Sequence, residues 1–70
     1  MGNLATRLAR RLRELRGDTP QVHFARKLGI SKSSLNRMEL GYQNVSLRSL
    51  ETLCTRLRCD IADLFPKGER

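Results

Sequence analysis

Three times in this chain a small polar residue stands one position after an apolar residue and four before another, which is the spacing of a helix start. Ser31 lies in this way between Ile30 and Leu35, Ser46 between Val45 and Leu50, and Asp60 between Cys59 and Leu64. The hydroxyl or carboxylate can accept an orphan N–H of the first helical turn. The flanking apolar pair can close over it as a hydrophobic staple. Three such starts in 70 residues confine the chain to short helices meeting at tight turns. No alternating apolar run competes for a strand.

The remaining boundaries follow from periodicity and from glycine and proline. Leu4, Leu8, Leu12 and Leu15 form one helical stripe, ended by Gly17, Asp18, Thr19 and Pro20. Proline suits the first position of a helix, because the N–H it lacks would have no partner there. A second helix therefore starts at that turn, with Thr19 as its cap or Asp18 and Gln21 as a capping box. It carries Val22, Phe24, Ala25 and Leu28 and stops at Gly29. The third runs from Lys32 to Leu40, with Leu35 and Met38 inward, and stops at Gly41. The fourth runs from Leu47 to Arg58, with Leu47, Leu50, Leu53, Cys54 and Leu57 as its stripe. A short fifth, Ile61 to Phe65, ends at Pro66. The expectation is one all-α domain over residues 1–70, with a core from 4 to 65 and a polar tail from 66 to 70. A domain this short has modest stability.

Charge narrows the partners. Fourteen Lys and Arg against seven Asp and Glu give a net charge of +7, and the pI is about 10.8. Such a chain attracts phosphates at long range. Arg outnumbers Lys eleven to three, and Arg can grip a phosphate or a guanine edge with two parallel donors. A membrane surface attracts the same charge, but four further capped segments describe a compact domain and not one amphipathic helix. Arg7, Arg10, Arg11, Arg13 and Arg16 interrupt the first segment, so it has no signal-peptide core. Nothing approaches the roughly 20 apolar residues of a membrane span. A cytoplasmic location is the expectation.

Cys54 and Cys59 are too few for a disulfide framework. A zinc site wants about four ligands, and only His23 could join the two thiols. Cys54 reads as a core thiol and Cys59 as a small residue just past a helix end; no metal, cofactor or small-molecule ligand is expected. Catalysis is not expected either. There is one His, no glycine-rich phosphate loop, and no base at a defensible spacing from Ser31, Ser33 or Ser34.

The stretch from Gln21 to Gly41 carries the chemistry. Two short helices joined by a tight turn at Gly29 fit a helix-turn-helix, whose second helix presents its N-terminal residues to base edges in the major groove. Lys32, Ser33, Asn36 and Arg37 fall at i, i+1, i+4 and i+5, on one side of the rod. No acid lies among them to repel phosphates. Arg37 fits base-edge readout. Lys32 and Ser33 either read bases or satisfy the helix end. Asn36 either reads adenine or is merely exposed. Tyr42 is a packing aromatic or a phosphate contact.

The run Gln21-Val22-His23-Phe24-Ala25-Arg26-Lys27-Leu28-Gly29-Ile30-Ser31 resembles the DNA-binding domain of phage Cro and repressor proteins and the Xre-type regulators. The continuation to Gly41 is similar to its recognition helix, and Asn44 to Leu47 and Ile61 to Phe65 to its fourth and fifth helix starts. The resemblance implies a five-helix lambda-repressor-like fold, with the helix-turn-helix at helices 2 and 3. It implies base reading by Lys32, Ser33 and Arg37, with Asn36 beside them. It assigns Gln21, Ser31, Ser34, Tyr42 and Gln43 to the DNA backbone. Glu39 matches an acid that pairs with an Arg of the first helix. With the first turn one residue longer than the commonest spacing, the partner expected here is Arg13. Pro20 and Val45 depart from the family's usual Thr or Ser and Pro, and Leu40 replaces a common polar residue. The implied function is a sequence-specific regulator of duplex DNA, a repressor on a two-fold-related operator, working as a homodimer at least on DNA. The alternative is an antitoxin or adaptor of the same fold that acts through a protein partner; a long tail after the fifth helix would favour it, and only five residues follow Phe65.

Overall fold

The computed structural model describes residues 4–42 and 45–65. They form five helices: α1 (Leu4–Arg16), α2 (Gln21–Leu28), α3 (Lys32–Leu40), α4 (Leu47–Leu57) and α5 (Ile61–Leu64). No strand occurs among the described residues. The chain has the lambda-repressor-like fold.

The three polar caps all form. Ser31 accepts from the Ser34 N–H at 3.0 Å and Ser46 from the Ser49 N–H at 3.1 Å. Asp60 accepts from Ala62 at 3.1 Å, and Asp63 reciprocates on the Asp60 N–H at 2.9 Å, a capping box. Gly29 and Gly41 take positive φ, 74° and 75°, and close α2 and α3. An L side chain resists that conformation, so glycine belongs at both stops.

Three boundaries differ from the sequence expectation. Neither Thr19 nor Asp18 caps α2; Pro20 holds the cap position with no side-chain bond. The Pro20 carbonyl itself accepts from His23 and Phe24, both at 3.1 Å. Thr19 instead closes the α1–α2 turn: its N–H donates to the Arg16 carbonyl at 2.9 Å, and its carbonyl accepts from the Arg16 side chain at 3.0 Å. At the other end, α4 stops at Leu57, because Arg58 turns left-handed (φ 55°) as its cap. Likewise α5 stops at Leu64, with Phe65 already out of helical geometry at φ −132°.

The core joins Leu8 and Leu12 of α1, Phe24, Ala25 and Leu28 of α2, Leu35 and Met38 of α3, Leu53 of α4 and Leu64 of α5. Ile30, Val45, Leu50, Cys54, Leu57, Cys59 and Phe65 are half-buried against it. The apolar stripes run past the core at their ends. Leu4, Leu15 and Val22 are exposed, and Leu47 is 81% exposed. Leu4 and Leu47 sit in the first turns of their helices, at the rim of a groove formed with Ile61 and Phe65.

α1 packs on α3 and α5, and α2 packs on α3 and α4. The arginines of α1 take part in this. Arg7 donates to the Phe65 carbonyl and Arg11 to the Asp63 carbonyl, both at 2.8 Å. The Arg7 guanidinium also lies 6.0 Å from the centre of the Phe65 ring, within cation–π reach. Cations at the C-terminal end of α5 answer its unsatisfied carbonyls and the negative end of its dipole. Two of the charges that suggested phosphate binding thus anchor the last helix.

Candidate nucleic-acid interface

The reading face is built on α3. Leu35, Met38 and Glu39 are buried, and Lys32, Ser33, Asn36 and Arg37 are exposed. A helix that buries one flank against α1 and α2 turns the opposite flank outward, so the four polar side chains share the solvent side. Ser31 is exposed and Ser34 half-buried. The Ser31 hydroxyl donates to Ser34 Oγ at 3.1 Å while accepting from the Ser34 N–H, so both serines belong to the cap. Tyr42 is 78% exposed, and its N–H donates to the Arg37 carbonyl at 3.3 Å across the end of α3. Gln43, expected beside it, lies outside the described residues, as do Asn44 and the tail from 66 to 70.

Glu39 is 3% exposed and anchors the helix from beneath. Its partner is Arg16, not Arg13. Arg16 grips the carboxylate with two bonds, Nε to Oε2 at 2.7 Å and Nη2 to Oε1 at 2.9 Å. Arg13 donates to the backbone carbonyl of Glu39 instead. The two arginines lie one turn apart on α1. Thr19 draws the Arg16 guanidinium into the α1–α2 turn, and that leaves it facing the carboxylate. The hydrogen bond to Glu39 raises the Arg16 pKa above its ordinary value, with the opposite charge adding to it and desolvation opposing it.

The ion pair extends to the surface. Gln21 Nε2 donates to Glu39 Oε1 at 3.0 Å and to Asn36 Oδ1 at 3.4 Å. Both amide hydrogens of Gln21 are therefore directed at protein acceptors, and its carbonyl oxygen is its remaining polar edge. Reading the sequence missed Arg16 as the partner of Glu39. Gln21 and Asn36 lie fifteen residues apart, and only the closed angle between α2 and α3 brings them together.

The two thiols lie on another part of the surface. Cys54 and Cys59 are half-buried, and the Cys59 N–H donates to the Cys54 carbonyl at 3.0 Å. Burial pushes the Cys59 thiol pKa up, and the neighbouring Cys54 and Asp63 add to the shift. No group of three or more His, Cys, Asp or Glu suited to a metal ion occurs among the described residues. No helix among them is long and apolar enough to cross a membrane.

Two short helices joined at a left-handed glycine, with an exposed polar flank on the second, define a DNA-binding helix-turn-helix. The helix-turn-helix family model matches residues 10–64, so the chain belongs to that family, in its Xre and Cro type. No curated protein and no solved structure matches the chain. Family and fold together make it a DNA-binding helix-turn-helix regulator.

Proposed function

We propose that the chain is a sequence-specific repressor that docks α3 in the major groove of a two-fold-related operator. The observation that carries this reading is the solvent-facing row Lys32, Ser33, Asn36 and Arg37 on a helix whose opposite side is core. Arg37 and Lys32 supply donors for guanine edges, and Ser33 and Asn36 complete the base-reading set. Ser31, Ser34 and Tyr42 flank it and meet phosphates, and Gln43 is assigned the same role from the sequence. Gln21 sits at the same edge, where its fixed amide supports Asn36.

The regulator works in the cytoplasm as a single domain over residues 1–70, and as a homodimer on DNA, with half-sites about one helical turn apart. The groove bounded by Leu4, Leu47, Ile61 and Phe65 supports self-association. Its charged lining residues, Glu51 and Asp60, are both acidic in a chain of net charge +7. Leu64 is fully buried and holds α5 to the core, so it takes no part in that face.

The test is titration of labelled duplexes at several salt concentrations, followed by enrichment from a random duplex pool. Specific binding should weaken steeply with salt. Arg37→Ala should lose preference at particular base pairs while still binding random duplex. Equal affinity of the wild type for selected and random duplexes would remove the sequence-reading role.

A further inference from the structure

The end of α4 brings the two thiols of the chain together. There the Arg58 N–H donates to the Thr55 carbonyl at 3.3 Å and the Cys59 N–H to the Cys54 carbonyl at 3.0 Å, with Arg58 left-handed between them. These two bonds make a Schellman motif, in which the side chains of the two outer residues commonly meet. Here those residues are Cys54 and Cys59. On an unbroken helix, residues five apart point about 140° away from each other, so the turn at Arg58 is what faces them to one another. The same bonds close α2 and α3, where the outer pairs are Ala25 with Ile30 and Arg37 with Tyr42. Of the three ends, that of α4 alone offers two sulfurs. Both are half-buried, and both line one groove with Leu50, Phe65, Glu51 and Asp60.

Two sulfurs fall short of the four ligands of a structural zinc site, and no third His, Cys, Asp or Glu joins them among the described residues. The carboxylates of Asp60 and Asp63 are engaged in capping α5. The occupant is therefore a centre soft enough to prefer sulfur and satisfied by two protein ligands. Charge restricts it further. Two thiolates half-buried in an apolar groove beside Glu51 and Asp60 are costly unless the occupant cancels their charge. We propose that Cys54 and Cys59 form a dithiol site for a soft centre that gives a neutral adduct, either a mercuric ion or a trivalent arsenical. With the mercuric ion, two S–Hg bonds form and the two S–H protons are released. With an arsenical bearing two hydroxyls, two S–As bonds replace two As–O bonds and two waters leave. Neither exchange oxidises or reduces anything. The site lies on another part of the surface from the reading side of α3 and is independent of the repressor role.

The experiment adds one equivalent of mercuric chloride, or of hydrated phenylarsine oxide, to the reduced full chain and to Cys54→Ser and Cys59→Ser. Intact mass and remaining free thiol are read. The wild type should carry one probe on a single chain, with both thiols consumed. Each single variant should bind phenylarsine oxide at least about a hundredfold more weakly, because the second sulfur must then come from another chain. Mercuric binding alone supports the site and assigns it to linear two-sulfur ions; arsenical binding alone supports it and assigns it to bent ones. Free thiol left on the wild type at one equivalent of both probes overturns the proposal, as does a probe that bridges two chains. Equal arsenical affinity in the wild type and the single variants also overturns it. The wild-type stoichiometry decides the matter even if a serine variant folds poorly.

Discussion

Replacing Glu39 by Ala tests whether the reading helix is anchored from beneath. Glu39 accepts three side-chain hydrogen bonds, two from Arg16 and one from Gln21, and is 3% exposed. Hydrogen bonds to charged groups contribute about 1.5–3 kcal/mol each, and neutral ones about 0.5–1.5. The Arg16 side chain keeps 23% of its surface, so water reaches part of the guanidinium once the carboxylate is gone. The loss then falls at about 2–4 kcal/mol, below the simple sum of the three bonds. A domain of this length has roughly 4–10 kcal/mol of stability in all. With a shift of about 4–8 °C per kcal/mol for small domains, the Glu39→Ala melting point should drop by roughly 8–32 °C. Arg37→Ala, on the exposed flank, should change it by no more than about 3 °C. Thermal unfolding followed by circular dichroism measures both, and the Arg16→Ala and Glu39→Ala losses should be strongly non-additive. Equal melting points for Glu39→Ala and Arg37→Ala would refute the anchoring role. Additive losses for the first pair would refute the assignment of Arg16 as the partner.

Three further outcomes follow from single features. Arg58 sits left-handed at φ 55°, so Arg58→Gly should raise stability by about 0.5–1 kcal/mol in a denaturant titration. A raised thiol pKa in the folded state contributes stability that is complete below the unfolded-state value and is lost as pH rises through the folded one. The wild-type melting point should therefore fall above about pH 8.5–9 by more than that of Cys59→Ala, and parallel pH curves would exclude this source. Leu47 is 81% exposed on the groove rim. Leu47→Glu should shift sedimentation toward the monomer without lowering the melting point of the isolated fold.

What the sequence makes legible is what depends on near neighbours. The caps at Ser31, Ser46 and Asp60 and the stops at Gly29 and Gly41 need only residues within one turn, and each forms as read. The exposed polar side of α3 is legible for the same reason, because its period is local. The errors fall where one helix must find another. Thr19 has the chemistry of a cap, but closure of the α1–α2 turn uses its backbone for Arg16. Arg13 and Arg16 are equivalent on the periodicity of α1, and the path of that turn chooses between them. Leu47 continues the α4 stripe in sequence, yet it stays 81% exposed.

The arginines of α1 show why composition alone overstates the binding charge. Arg7 and Arg11 hold the end of α5, Arg13 holds the end of α3, and Arg16 holds Glu39. Their charges still add to the long-range field that draws the chain toward phosphates. Counterion release, however, counts only the phosphates directly neutralised. If every unit of the net charge of +7 met a phosphate, log K would fall with log salt at a slope of about −6 per copy. With the α1 side chains committed to holding helices together, the slope should be distinctly shallower, set by Lys32, Arg37 and the few cations beside them. A slope of about −6 or steeper that becomes shallower in an Arg7→Ala, Arg11→Ala variant would mean that these arginines leave their carbonyls to meet the DNA.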